Sequence, residues 1–137
     1  MNTLPVPYVF IADDDEDDRF LLQISFSLHY PHCRLHFVND GQDLLDHLAQ
    51  TNQSPALIVL DLNMPRLNGF EVLESLRKNS QYASTPVVML TTSANTDDRD
   101  LAFKLGAREF ITKPLNLNQL EDIVSRFQKY WLQNAEN

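Results

Sequence analysis

Short apolar runs alternate with stripes of helical spacing along the whole chain. Tyr8–Ala12, Arg34–Val38, Ala56–Leu60, Val87–Leu90 and Glu109–Thr112 read as strands, most of them continuous and rich in β-branched residues, as in strands buried on both faces. Between them the apolar positions recur every three or four residues. Phe20, Leu21, Ile24, Phe26 and Leu28 mark a helical face that stops at Pro31, and Leu44, Leu45 and Leu48 mark a shorter one. Phe70, Val72, Leu73 and Leu76 mark the third, which runs to Asn79. Asn95 or Thr96 is placed to cap the fourth, with Asp97, Asp98 and Asp100 at its positive end and Gly106 closing it. Asn116, with Gln119 three residues on, has the register of a capping box for the last, through Leu120, Ile123, Val124, Phe127 and Trp131. Asn39-Asp40-Gly41 reads as a turn after the second run, and the third run leads to a loop containing Pro65 and Asn68-Gly69. Five strand–helix units in strict alternation predict an α/β fold with a parallel sheet.

At 137 residues the chain fits one domain, with a core over about residues 7–132 and neither a linker nor a repeat to suggest a second. Its net charge of -8 argues against nucleic acid or an anionic membrane surface as a direct partner. Six consecutive carboxylates, Asp13 to Asp18, carry much of that charge. One cysteine, Cys33, allows no internal disulfide, and the amino-terminal residues lack the basic start and apolar stretch of a signal peptide. A cytoplasmic protein is expected.

The strand ends hold the chemistry. The first run leads into Asp13-Asp14, the third into Asp61, the fourth into Thr91 and the fifth into Lys113-Pro114. In open parallel sheets ligands bind just outside the carboxyl ends of the strands, so these groups should converge on one edge. Three carboxylates there repel, at roughly 4 kcal/mol per pair for a 4 Å separation and an effective dielectric near 20. A cation among them, or protonation of one, relieves that repulsion. Few carboxylates plus water suit Mg²⁺. Beside such a cation Asp61 is a competent nucleophile toward phosphorus, with Lys113 and Thr91 as donors to the transferred group's oxygens. For Asp15 to Asp18 a solvated stretch opening a helix is the simpler expectation. An EF-hand fails, since its sixth position is Asp18 where Gly is needed and its twelfth is Ile24 where Glu is needed.

At these residues the chain resembles the receiver domain of two-component response regulators, over nearly its whole length. The matching pieces are Ile11-Ala12-Asp13-Asp14, Leu60-Asp61-Leu62-Asn63-Met64-Pro65, Gly69, Leu90-Thr91-Thr92, Gly106-Ala107 and Lys113-Pro114. The resemblance implies a doubly wound, flavodoxin-like five-stranded sheet of order 2-1-3-4-5. It implies that Asp61 accepts a phosphoryl group from a sensor histidine kinase or phosphotransfer protein. It further implies that Asp14, Asp61 and the Asn63 main-chain carbonyl bind Mg²⁺, with Asp13 acting through water. Lys113 would hold the phosphoryl oxygen. Thr91 would then move toward it, and Phe110, where many relatives have tyrosine, would turn inward and change the fourth-helix and fifth-strand surface. That surface is the expected contact for an output protein or a second copy.

A narrower likeness, to single-domain regulators associated with bacterial phytochromes, rests on Asn39-Asp40-Gly41, Pro65-Arg66-Leu67-Asn68-Gly69 and the Tyr130-Trp131-Leu132 tail. The expected protein is therefore a stand-alone phosphoacceptor switch without an output domain, promoting only its own modification and its loss. A phosphorelay intermediate and a scaffold that binds partners without phosphorylation are the alternatives. A phosphatase working through an aspartyl phosphate needs an acid two residues after the nucleophile, and Asn63 stands there.

Overall fold

The structure, a computed structural model, describes residues 8–51, 54–113 and 116–130. Five strands, β1 (Tyr8–Ala12), β2 (Arg34–Val38), β3 (Leu57–Leu60), β4 (Val87–Thr91) and β5 (Glu109–Thr112), form one parallel sheet in the order β2-β1-β3-β4-β5. The helices are α1 (Glu16–His29), α2 (Gly41–Gln50), α3 (Gly69–Lys78), α4 (Thr96–Lys104) and α5 (Leu117–Ser125).

Side chains alternate across the sheet and sort the core into two layers. Val9, Ile11, Leu57, Val59, Val88 and Leu90 pack against Leu22 and Phe26 of α1 and Leu120 and Val124 of α5. Phe10, Ala12, Ile58, Leu60, Val87 and Met89 pack against Leu44, Leu48, Val72, Leu73, Leu76 and Ala102 from α2, α3 and α4. Burial on both faces is why these strands read as continuous apolar runs. Tyr30 joins α1 to α5 by donating its hydroxyl toward the Val124 and Ser125 carbonyls.

Polar side chains set the helix starts. Asp15 caps α1 by accepting from the Asp17 and Asp18 amides, and Asp40 caps α2 by accepting from Asp43. Asn68 and Glu71 form a reciprocal capping box on α3. Asn95 caps α4, and Asn116 accepts from the Gln119 amide at α5. Gly106, at φ +104°, follows α4 in the left-handed region that glycine adopts without cost. At that end of the sheet the Arg77 guanidinium donates to the carbonyls of Tyr82, Ala83, Thr85 and Gly106, tying the α3–β4 and α4–β5 connections together.

Two expectations need correction. Phe20 and Leu28 are not on the buried face of α1; they are 62% and 61% exposed. The buried stripe is Leu22, Ser25 and Phe26, at spacings of three and four, and both misplaced residues project from the far side of that stripe. Asn39-Asp40-Gly41 is not a free-standing turn, since Asp40 caps α2 and Gly41 opens it. The expected role of Trp131 in the last helix lies outside the described residues, whereas Phe127 and Tyr130 are buried in the α1–α5 layer.

Gly69 shows how tightly the strand ends are packed. A Cβ there would lie 2.7 Å from the Asp61 carbonyl oxygen and 2.7 Å from Met89 Cε. Gly69→Ala is therefore expected to destabilise the protein by about 1–3 kcal/mol, the usual cost of overpacking. Urea unfolding of the two proteins checks this, and an unchanged midpoint would contradict the packing described.

Candidate functional site

Strand register brings the carboxylates together. Ala12 of β1 stands opposite Leu60 of β3, so Asp13 and Asp61 leave adjacent strand ends side by side. The Asp61 amide donates to the Ala12 carbonyl at 3.0 Å and the Asp13 amide to Val38 at 3.1 Å, which fixes both exits. Strand order reverses at this crevice, since the chain goes from β1 outward to β2 on one side and to β3 on the other. Asp13, Asp14 and Asp61 each offer an oxygen within 4.8 Å of the others; Asp13 and Asp61 are buried and Asp14 is exposed. This all-oxygen set with one open side suits a hard divalent cation.

Lys113 is the counter-charge. Its backbone amide donates to the Thr91 carbonyl at 2.6 Å, so the last residue of β4 positions the residue after β5. Its ammonium lies 3.0 Å from Asp13 Oδ2, 2.9 Å from Asp61 Oδ2 and 2.7 Å from Asp18 Oδ2. The side chains of Lys113, Asp13 and Asp61 are 8%, 3% and 7% exposed. A counter-charge and a raised carboxyl pKa occur together here. Burial pushes the Asp13 carboxyl up to about 6, against an ordinary value of 3.8, although the Asp15 amide and Lys113 hold it down. Burial also disfavours the Lys113 ammonium, but its hydrogen bonds to Asp18, Asp61 and Asp13 outweigh this and hold its pKa above the ordinary 10.5.

Sequence reasoning missed Asp18. Glu16 and Asp17 are exposed and Asp15 is an exposed cap, as a solvated stretch requires, but Asp18 turns inward onto Lys113. The six-residue acidic run is thus divided by role. Asp13 Oδ1 accepts the Asp15 amide, Asp15 caps the helix, and Asp18 reaches the lysine from its first turn. The only signal in the sequence was helical phase, which places Asp18 one turn before the buried Leu22.

The remaining predicted residues surround this centre. The Asn63 amide donates to Asp61 Oδ1 at 3.2 Å, which turns the other oxygen toward Lys113. Thr91 is fully buried, and its hydroxyl accepts the Ser93 amide at 3.3 Å. Ser93 in turn donates to Asp98 of α4 and accepts from the Thr112 hydroxyl, clasping the β4–α4 loop to both neighbours. Phe110, opposite Met89 in the sheet, is half-buried against the α2–α4 layer. The Lys113-Pro114 isomer lies outside the described residues.

On the other flank, Arg66 adopts φ +67° and pairs with Asp40 and Asp43 at 3.0 and 2.8 Å. This ties the loop after Asp61 to the start of α2.

This sheet and this edge define a doubly wound α/β domain with an acidic crevice at its switch point, and comparison with known proteins gives the family. The profile of the response regulator receiver domain matches residues 9–125, so the chain belongs to the response regulator receiver family. Response regulator Rcp1 of Synechocystis sp. is 31% identical over 96% of this chain and 92% of its own length. The phosphorylated cyanobacterial phytochrome response regulator RcpA superposes with a TM-score of 0.86 at 32% identity, over 96% of this chain and 97% of that one. The Mn²⁺-bound form of Rcp1 superposes with a TM-score of 0.81 at 31% identity, over 92% and 94% of the two chains. The likeness to single-domain and phytochrome-associated regulators holds. Among the described residues no helix is long and apolar enough to cross a membrane.

Two outcomes follow from the charge arrangement. Lys113→Ala is expected to lower the unfolding free energy by about 2–4 kcal/mol without added divalent cation, because it strands buried carboxylates. Urea titrations with and without such a cation check this; the loss should shrink when one is present.

The second outcome concerns pH. A raised carboxyl pKa means that the folded state binds more protons than the unfolded one between pH 3.8 and about 6. The Asp13 contribution to stability is complete below that window and is lost as pH rises through about 6. Without added divalent cation, Asp13→Asn should remove this decline; stability profiles of equal slope in the two proteins would rule it out.

Proposed function

We propose that the protein is a stand-alone phosphoacceptor switch, with Asp61 as the acceptor. The observation that carries this reading is Asp61 itself, a buried carboxylate with one oxygen on the Asn63 amide and the other on Lys113, beside Asp13 and Asp14. An oxygen of Asp61 attacks the phosphorus of a phosphohistidine on a sensor kinase or phosphotransfer protein. The phosphorus–nitrogen bond breaks, and the imidazole keeps the electron pair.

Asp14, Asp61 and the Asn63 carbonyl would hold Mg²⁺, with Asp13 acting through water. When bound, that ion neutralises charge on a phosphoryl oxygen. The Lys113 ammonium serves a second oxygen and the Thr91 hydroxyl the third. The chain transforms no external substrate; it promotes its own modification and its reversal.

The output reading follows from Thr91. Its hydroxyl can exchange the Ser93 amide for the phosphoryl group, and Ser93 is hydrogen-bonded to α4 and to Thr112 of β5. A change there acts on the surface carrying Leu101 and Phe103, 40% and 42% exposed on α4. With Phe110 turning inward beneath it, that surface would serve an output protein or a second copy.

Incubation with Mg²⁺ and acetyl phosphate, followed by intact-mass measurement, should show the gain of one phosphoryl group. Asp61→Asn should show none, and neither should wild-type protein in excess chelator. A gain retained in Asp61→Asn would move the acceptor elsewhere.

A further inference from the structure

We propose that Asp18 is a positioning residue for Lys113, the anchor that keeps the ammonium over Asp61 when a divalent cation draws on the site's other carboxylates. This rests on the phosphoacceptor reading of Asp61. An ammonium has three N–H donors, and three carboxylate oxygens stand within 3.0 Å of this one. Two of those oxygens, from Asp13 and Asp61, belong to the cluster suited to a divalent cation; Asp18 does not belong to it. A cation drawing on Asp13 and Asp61 weakens their hold on the ammonium through competition for the same lone pairs and through like-charge repulsion. The contact to Asp18 does not face that competition, and at 2.7 Å it is the shortest of the three.

The two partners also differ in their mounting. Lys113 carries its charge on a flexible four-carbon stem that loses much rotamer freedom when held in one place. Asp18 has a short stem on the first turn of α1, where its amide is bound by Asp15 Oδ1 and the helix is seated by Leu22 and Phe26. A rigid carboxylate therefore restrains a mobile ammonium. One donor on Asp18 leaves two for Asp61 and an incoming phosphoryl oxygen. Without Asp18, the cation that prepares the acceptor would also release the lysine toward solvent.

Pulse acetylation of the full chain with acetic anhydride, read by peptide mass spectrometry, tests this directly. The exposed Lys78 and Lys104 serve as internal references. In wild-type protein Lys113 should stay protected when Mg²⁺ is added to saturation. In Asp18→Ala its labelling under saturating Mg²⁺ should rise about fivefold, on the scale of losing one half-exposed ion pair, and Asp18→Glu should restore part of the protection. Calorimetric titration with Mg²⁺ sets saturation for each protein, and thermal melts confirm that each is folded. Equal Lys113 labelling in wild type and Asp18→Ala at saturating Mg²⁺ would overturn the proposal.

Phosphorylation by acetyl phosphate gives the second readout. Asp18→Ala should be modified about fivefold more slowly than wild type at saturating Mg²⁺. Faster modification would mean that Asp18 withholds the lysine, and a rate slower only below saturation and equal to wild type at saturating Mg²⁺ would mean that it acts only through the site's overall charge. Either result overturns the proposal. If wild-type protein gains no phosphoryl group, the acceptor reading fails, while the labelling comparison still decides the role of Asp18.

Discussion

Like charges have to be held against their own repulsion at the edge between β1 and β3, and most of the structure around that edge serves this constraint. Asp13 and Asp61 are brought together by strand register, not by choice of rotamer, so neither can move away without breaking the backbone bonds between β1 and its neighbours. The ammonium of Lys113 and the raised proton affinity of Asp13 share the relief. Each is reversible, one by movement and the other by titration.

Helix α1 contributes more than packing to this arrangement. Its cap, Asp15, takes the first-turn amides, while Asp13 before the cap and Asp18 after it reach the same lysine. The lysine comes from the far end of the sequence, after β5, and its amide is set by the last residue of β4. The site therefore joins the start and the finish of the fold through one side chain. Loosening α1, β4 or β5 would be felt there.

Much of this was legible in the sequence. The five runs and their polar ends imply a parallel sheet with Asp13, Asp14, Asp61, Thr91 and Lys113 on one edge, because alternation and the geometry of parallel sheets require it. Caps were partly legible. Asn95 or Thr96 and Asn116 were read as helix starts, whereas Asp40 was read as part of a turn because the same residue types serve both purposes. The face of α1 was misread at Phe20 and Leu28, where apolar side chains project into solvent and the buried stripe instead includes a serine. Asp18 was hidden for another reason. Its partner lies in a different part of the chain, and among six carboxylates only helical phase marks the one that turns inward. Arg66 is a similar case, since its pairing with Asp40 depends on how two loops meet.

Arg77 lies at the opposite end of β4 and β5, with its guanidinium on four carbonyls from two connections. One of them belongs to Gly106, just past the last turn of α4, whereas the start of α4 is tied to Ser93 by the Ser93–Asp98 hydrogen bond and by the Asn95 amide on Ser93 Oγ. The helix is thus held at its end by a guanidinium shared with the α3–β4 connection and at its start through one serine side chain. A rearrangement at Ser93 would therefore reach the start of α4 first, while the Arg77 bond to the Gly106 carbonyl keeps its end in place.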